Sequence, residues 1–199
     1  VLLQTDGKIL AIGEAYNTSS FDFAAVRFNT DGSIDASYGN QGKVLVNFNG
    51  FNDFGRDAVL QPDGKLVIAG AAKNNNGNSS IALCRLNTDG SIDISFGTNG
   101  KTTLTISDEA DDYAERVILL PDNKIITGGY SAGNFQISRF ADNGEIDNSF
   151  GSNGYVVTDF DDFQDKAYAM VTDAAGSIYL GGHGYESGNG GLFHFAISK

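Results

Sequence analysis

The sequence predicts an all-β fold: a β-propeller, or an arc of one, built from four-stranded antiparallel blades. Three observations predict it. A seventeen-residue block is written twice almost unchanged, RFNTDGSIDASYGNQGK at 27–43 and RLNTDGSIDISFGTNGK at 85–101, and more loosely a third time as RFADNGEIDNSFGSNGY at 139–155. Repetition at a period of tens of residues constrains architecture before any single motif does. The composition, with 26 glycines, 2 prolines and no tryptophan, suits many short strands joined by tight turns. Apolar residues alternate or run in short blocks, and nothing in them recurs at helical spacing.

Each unit opens on two apolar runs around a turn. These are VLLQTDGKILAIG from Val1, AVLQPDGKLVIAG from Ala58, VILLPDNKIITGG from Val117 and MVTDAAGSIYLGG from Met170. Asp6-Gly7, Asp63-Gly64 and Asp122-Asn123 suit two-residue turns, because Gly and Asn tolerate positive φ. After a variable stretch comes a third run: FAAVRF, IALCRL, FQISRF and FAISK. The long block then turns at Asp31-Gly32, Asp89-Gly90 and Asn143-Gly144 and ends in a Gly-x-x-Gly step. The fourth runs are KVLVNF, KTTLTI and YVVTDF. Strands of about 5 residues are expected near 8–13, 23–28, 43–48, 65–70, 81–86, 101–106, 124–128, 135–140 and 155–160. The repeats divide as 1–58, 59–116, 117–169 and an incomplete 170–199, about 3.5 units of 53–59 residues. A lone four-stranded sheet leaves a face bare, whereas sheets stacked around an axis cover one another. A linear β-solenoid fits less well, since its coils are shorter and lack regular hairpin turns.

Several repeated residues have structural expectations. Tyr38, Phe96 and Phe150 each precede a glycine, and their rings should pack between blades. Arg27, Arg85 and Arg139 recur eight residues before Asp35, Asp93 and Asp147. An Arg–Asp bridge locking the long turn is expected, bidentate where geometry allows. Cys84 aligns with Val26 and Ser138, which makes it a packing thiol. His183 and His194 are the only histidines, and no nucleophile, phosphate-loop or dinucleotide motif is present. No catalytic residue and no cofactor-binding residue is assigned.

The formal net charge of -12 repels phosphate backbones and anionic lipid, which argues against nucleic acid as a partner. No apolar run reaches the ~18 residues of a membrane-spanning helix, so no membrane insertion is expected. One cysteine leaves no intrachain disulfide, and that does not locate the protein. The links between units are rich in acid. SDEADDY holds Asp108, Glu109, Asp111 and Asp112, and DFDDFQD holds Asp159, Asp161, Asp162 and Asp165. Carboxylates this dense repel unless solvated or shared with a cation, and the hard cation such oxygens would take is Ca²⁺. In a four-stranded meander the second-to-third loops and the links emerge on one face. These segments vary between units, so that face is the expected binding surface.

The pattern Q-P-D-G-K and an apolar run, then F-x-apolar-x-R-F-N, then D-G-S-apolar-D-x-S-F-G-x-x-G, resembles the delta-60 repeat family. The likeness runs through the whole chain, closely at 59–116 and weakly after 170, where Ala174-Ala175-Gly176 replaces P-D-G. The resemblance implies β-propeller-like repeats of large bacterial secreted or surface proteins, hence an extracellular or cell-surface location. It implies a non-enzymatic scaffold, adhesin or ligand-binding module. The partners would be the remaining blades of the same chain or another copy, and a cell-surface, carbohydrate or protein ligand. The alternative is a propeller enzyme, a hydrolase or lyase on carbohydrate or lactone, with an acidic, Ca²⁺-dependent axial site. What separates the two is whether acidic or His side chains from several blades converge at the axis on one face. Both chain ends fall inside a motif, at VLLQTDGK and FAISK. A piece of a longer protein, unstable as a lone monomer, is the expectation.

Overall fold

The structure is a computed structural model, and it describes residues 1–160, 164–186 and 192–199. The first sheet contains β1 (Leu2–Leu3), β2 (Ile9–Tyr16), β3 (Phe21–Phe28) and β4 (Lys43–Val46). The second contains β5 (Asp53–Leu60), β6 (Leu66–Lys73), β7 (Ser79–Leu86) and β8 (Lys101–Leu104). The third contains β9 (Asp112–Leu119), β10 (Ile125–Ser131), β11 (Asn134–Phe140) and β12 (Tyr155–Thr158). The fourth contains β13 (Lys166–Thr172), β14 (Ile178–Glu186) and β15 (Leu192–Ser198). Within each sheet the strands pair antiparallel in chain order. Among the described residues no helix is long and apolar enough to cross a membrane.

The sheets pack face to face in succession, as propeller blades do, and do not close into a ring. Three apolar layers separate them. Leu10, Phe23 and Tyr38 meet Leu66, Ile68 and Cys84 in the first. Val67, Ile81, Leu83 and Phe96 meet Val117, Ile125 and Phe140 in the second. Ile126 and Phe135 meet Met170 and Leu180 in the third. The middle sheets are therefore covered on both sides, and β7 is buried along its whole length. Cys84 is one of these packing residues, and burial pushes its thiol up to about 12.

The strands fall where expected, but their lengths differ. The second and third strands of the first three sheets run to seven or eight residues, and the fourth strands to only four. The first strands reach back into the links, so the repeat boundaries after 58, 116 and 169 fall inside β5, β9 and β13. Each of these inner strands carries a β-bulge, at Arg56, Glu115 and Tyr168. A bulge adds one unpaired residue and re-aims its side chain. Opposite each bulge stands a glycine, Gly70, Gly129 or Gly182. A Cβ there would overlap the carbonyl oxygen of Phe54, Tyr113 or Lys166. The repeated Gly at the end of each second apolar run thus marks a close backbone approach.

The long turns fasten neighbouring sheets. Arg85 Nε lies 2.7 Å from Asp93 Oδ2, and its guanidinium stacks over Phe96 at 4.8 Å. Its Nη2 donates to the Ser95 hydroxyl, and Nη1 donates across to the Asp142 carbonyl of the next sheet at 2.6 Å. Arg27 repeats the arrangement, with Asp35 at 2.7 Å and the Thr88 carbonyl of the second sheet at 2.7 Å. The expected Arg–Asp bridges exist, but they are not bidentate. The second carboxylate oxygen accepts from a serine hydroxyl and amide instead. Lys8, Lys65 and Lys124 complete the three networks.

Candidate functional site

The two ends of the strands are unlike. One carries the repeated turns. At the other, the loops 17–20, 74–78 and 132–133 meet the links 47–52 and 105–111. Phe21 N–H donates to Asn52 Oδ1 at 3.1 Å, Asn78 Nδ2 to the Asp108 carbonyl at 3.1 Å, and Ala132 N–H to the Asp111 carbonyl at 3.1 Å. Variable loops and acidic links thus share a face, as the meander requires. The β14–β15 loop, residues 187–191 of GHGYESGNGG, lies outside the described residues.

The link carboxylates do several different things. Asp112 is buried and accepts the amides of Ile106 at 2.7 Å and Ser107 at 3.1 Å. Asp165 is buried and accepts the Phe160 amide at 2.9 Å. Asp111 accepts the Ser79 amide at 2.8 Å, while Asp108, Glu109 and Asp159 are exposed. Asp161 and Asp162 lie outside the described residues. Among the described residues no three Asp, Glu, His or Cys side chains gather in a group able to hold a metal ion. Asp112 and Asp165 share their role with Asp53, which accepts the Phe48 amide at 2.8 Å. One buried Asp per link therefore pins the loop five residues upstream.

Burial pushes the Asp53 carboxyl up to about 6. Asp22 pushes the same way, while the Phe48 amide and Lys101 pull it back. The folded state therefore binds this proton more tightly than the unfolded chain. The associated stability is fully present below an ordinary carboxylate pKa of about 4 and declines as pH rises through about 6. Asp53→Asn keeps the acceptor for Phe48 and removes the charge. It should be more stable than the native chain at pH 8 by about 2 kcal/mol, with the gap closing near pH 4. Thermal melts across that range check it, and equal gaps at both ends would refute the assignment.

The three bulges place unlike side chains at equivalent points on the inner edge, and these meet residues from all four sheets. Arg56 lies 3.5 Å from Glu14 of β2 and sits over Phe54 at 5.4 Å and Tyr113 at 5.9 Å. Tyr113 and Tyr130 stack at 5.1 Å, and Lys166 lies over the Tyr130 ring at 4.7 Å. Tyr168 meets His183 at 5.5 Å. Burial pushes the Glu115 carboxyl up, against Arg56, Arg116 and Lys166. Burial also raises the Tyr130 hydroxyl, and Glu115 adds to it. These groups are half-buried or exposed, so they line a surface and are not core. A cavity of about 360 Å³ opens beside them on the variable face, between Asn78, Asp111, Tyr130, Gly133, Gln164 and Lys166.

Of this cluster only His183 was singled out from the sequence, as one of two histidines. Its members span positions 14 to 183 and become neighbours only when the sheets stack. One signal was present: in D-F-G-R, D-Y-A-E and D-K-A-Y the fourth residue changes character completely while the first stays Asp.

No curated protein matches the chain. The family described as "Domain of unknown function (DUF5122) beta-propeller" matches residues 4–38, 61–96 and 120–150, which together make up half of the chain. Each match begins at or beside the first hairpin turn and ends at the aromatic residue of the long turn, Tyr38, Phe96 or Phe150. The sheets and clamps described above are that repeat in three dimensions, and the chain belongs to the DUF5122 β-propeller family.

Proposed function

We propose that the chain is a non-enzymatic, delta-60-like repeat module of a bacterial secreted or cell-surface protein, and that it binds carbohydrate on its variable-loop face. The observation that carries this reading is the inner-edge cluster. Three equivalent bulges carry unlike side chains, and around them stand the Tyr113, Tyr130 and Tyr168 rings beside Arg56, Lys166, Glu14 and Glu115. Aromatic faces stack on the C–H faces of sugar rings. Flanking carboxylates and cations give the hydroxyls acceptors and donors, the small set of polar groups that orients a ligand. The direct test is retention on a panel of immobilised oligosaccharides. At least one should be held, and Tyr130→Ala or Arg56→Ala should weaken it about tenfold or more, roughly 1.4 kcal/mol. Retention of none, or equal retention by both variants, would sink the reading.

A second reading rests on Glu115. A half-buried carboxyl raised by its surroundings is the usual state of a general acid, and Glu14, 3.5 Å from Arg56, supplies a second carboxylate. On that reading the chain hydrolyses a glycoside, and Glu115→Gln keeps binding while losing turnover. Aryl glycosides left unhydrolysed would remove it.

A further inference from the structure

The β2–β3 hairpin ends in an aromatic pair that the next two sheets lack. Tyr16 and Phe21 face each other across the strands, with their rings edge to face at 5.4 Å. They stay 62% and 41% exposed, so packing of the core does not call for them. Lys73 and Ser79 hold the equivalent positions in the second sheet, and Ala132 and Gly133 in the third. The Phe21 amide fastens the hairpin to the first link, donating to Asn52 Oδ1 at 3.1 Å. Phe51, beside Asn52 on that link, is a third exposed ring. A cross-strand aromatic pair steadies a hairpin, but rings held open on the variable-loop face also offer surfaces for stacking.

This pair is continuous with the inner-edge cluster. Glu14 pairs with Phe23 as Tyr16 pairs with Phe21, and Phe23 lies in the apolar layer against the second sheet. Alternation along β2 therefore puts Tyr16 and Glu14 on that same face, two residues or about 7 Å apart. Glu14 meets Arg56 at 3.5 Å, and Arg56 lies 5.9 Å from the Tyr113 ring. Tyr113 stacks on Tyr130 at 5.1 Å, and Lys166 ends the row 4.7 Å from Tyr130. The row thus runs from the first sheet to the fourth, with aromatic rings near both of its ends and charged groups between and beside them. None of its members belongs to the long-turn clamps.

Building on the carbohydrate reading above, we infer that the ligand is an extended, linear glycan lying along this row, with Tyr16 and Phe21 as a second stacking station. A terminal sugar or a disaccharide fills the inner-edge cluster alone. A longer chain held there presents its remaining sugars to the hairpin rings at high effective concentration, and so gains a second contact at little further cost. The class recognised is the interior of a linear polysaccharide, and not its end.

The test is calorimetric titration of the chain with the dimer, tetramer and hexamer of the cello-, chito-, manno- and xylo-oligosaccharide series. In a series that binds, the hexamer should be held about tenfold or more tightly than the dimer. Tyr16→Lys with Phe21→Ser installs the pair that the second sheet carries at these positions, so the hairpin keeps residues the repeat already accepts. This double variant should lose the gain with length and bind the dimer as the native chain does. Tyr130→Ala should weaken all three lengths. Equal affinity for dimer and hexamer would overturn the inference and leave the carbohydrate reading standing. So would a double variant that melts lower but keeps the full gain with length, since the pair would then only steady the hairpin. No binding at any length would overturn both.

Discussion

Replacing Gly70 with alanine is expected to prevent the chain from folding normally, at a cost above about 4 kcal/mol, while the same change at Gly13 is expected to cost about 0.5 kcal/mol or less. The two glycines occupy equivalent positions in β6 and β2. Opposite Gly70 the bulged β5 brings the Phe54 carbonyl against the missing side chain, with the Phe23 ring behind it. Opposite Gly13 a Cβ would meet nothing within 4 Å, because β1 pairs with β2 only through Leu2 and Leu3. Neither glycine has positive φ, so the contrast isolates steric approach from backbone conformation. For a chain of this size each kcal/mol moves a thermal midpoint by about 2–4 °C. Gly70→Ala should therefore melt at least about 8 °C lower, if it accumulates at all. Equal midpoints for the two variants would show that the bulge is not held against the second strand as described.

Arg85→Ala should cost about 3 kcal/mol and Arg139→Ala about 1 kcal/mol, although both sit at the same place in the repeat and make the same Asp and Ser bonds. Arg85 is buried against Phe96 and bonds Asp93, Ser95, Gln61 and the Asp142 carbonyl. Its loss leaves Asp93 with Lys65 alone as a charged partner and strands a carbonyl between two sheets. Among the described residues Arg139 makes its Asp and Ser bonds only. The difference measures what fastening to a neighbouring sheet contributes, and denaturant unfolding of both variants reads it. Acid should erode the same clamp. Burial raises the Asp93 carboxyl, but its bonds from Ser95 and Lys65 outweigh that and hold it well below the usual range. A lowered carboxylate contributes its stability above the ordinary pKa of about 4 and loses it as pH falls further. Equal costs for the two arginines would mean that the inter-sheet bond contributes nothing.

The elements most legible in the sequence were those punctuated by glycine. Asp63-Gly64 and Asp89-Gly90 placed the ends of β6 and β7 to within a residue or two, because positive φ at Gly is a local requirement. The inner strands were read too short. DFGRDAVL and DYAERVIL do not alternate cleanly, since each spends one residue on a bulge and carries charge at it. Asp53, Asp112 and Asp165 look like loop acids in sequence. Only their burial under the links shows that they hold backbone amides. The Arg–Asp pairing was visible at its spacing of eight residues, whereas the bond from Arg85 to Asp142 spans 57 residues and leaves no local trace. The inner-edge cluster left little trace for a related reason: Arg56, Glu115 and Tyr168 share only the Asp three residues before each, and the stacking of sheets alone makes them neighbours of one another and of Glu14.

The long turn of the second sheet both grips the sheet ahead and offers its own Asx-Gly corner to the sheet behind. Donor and acceptor are written in the same seventeen residues, so a duplicated unit arrives already compatible with both neighbours. Unequal recombination could lengthen or shorten the array one unit at a time without any compensating change at the joints. No repeat encodes how many others there are. The count depends on the angle between successive sheets, and the apolar layers lie between those sheets.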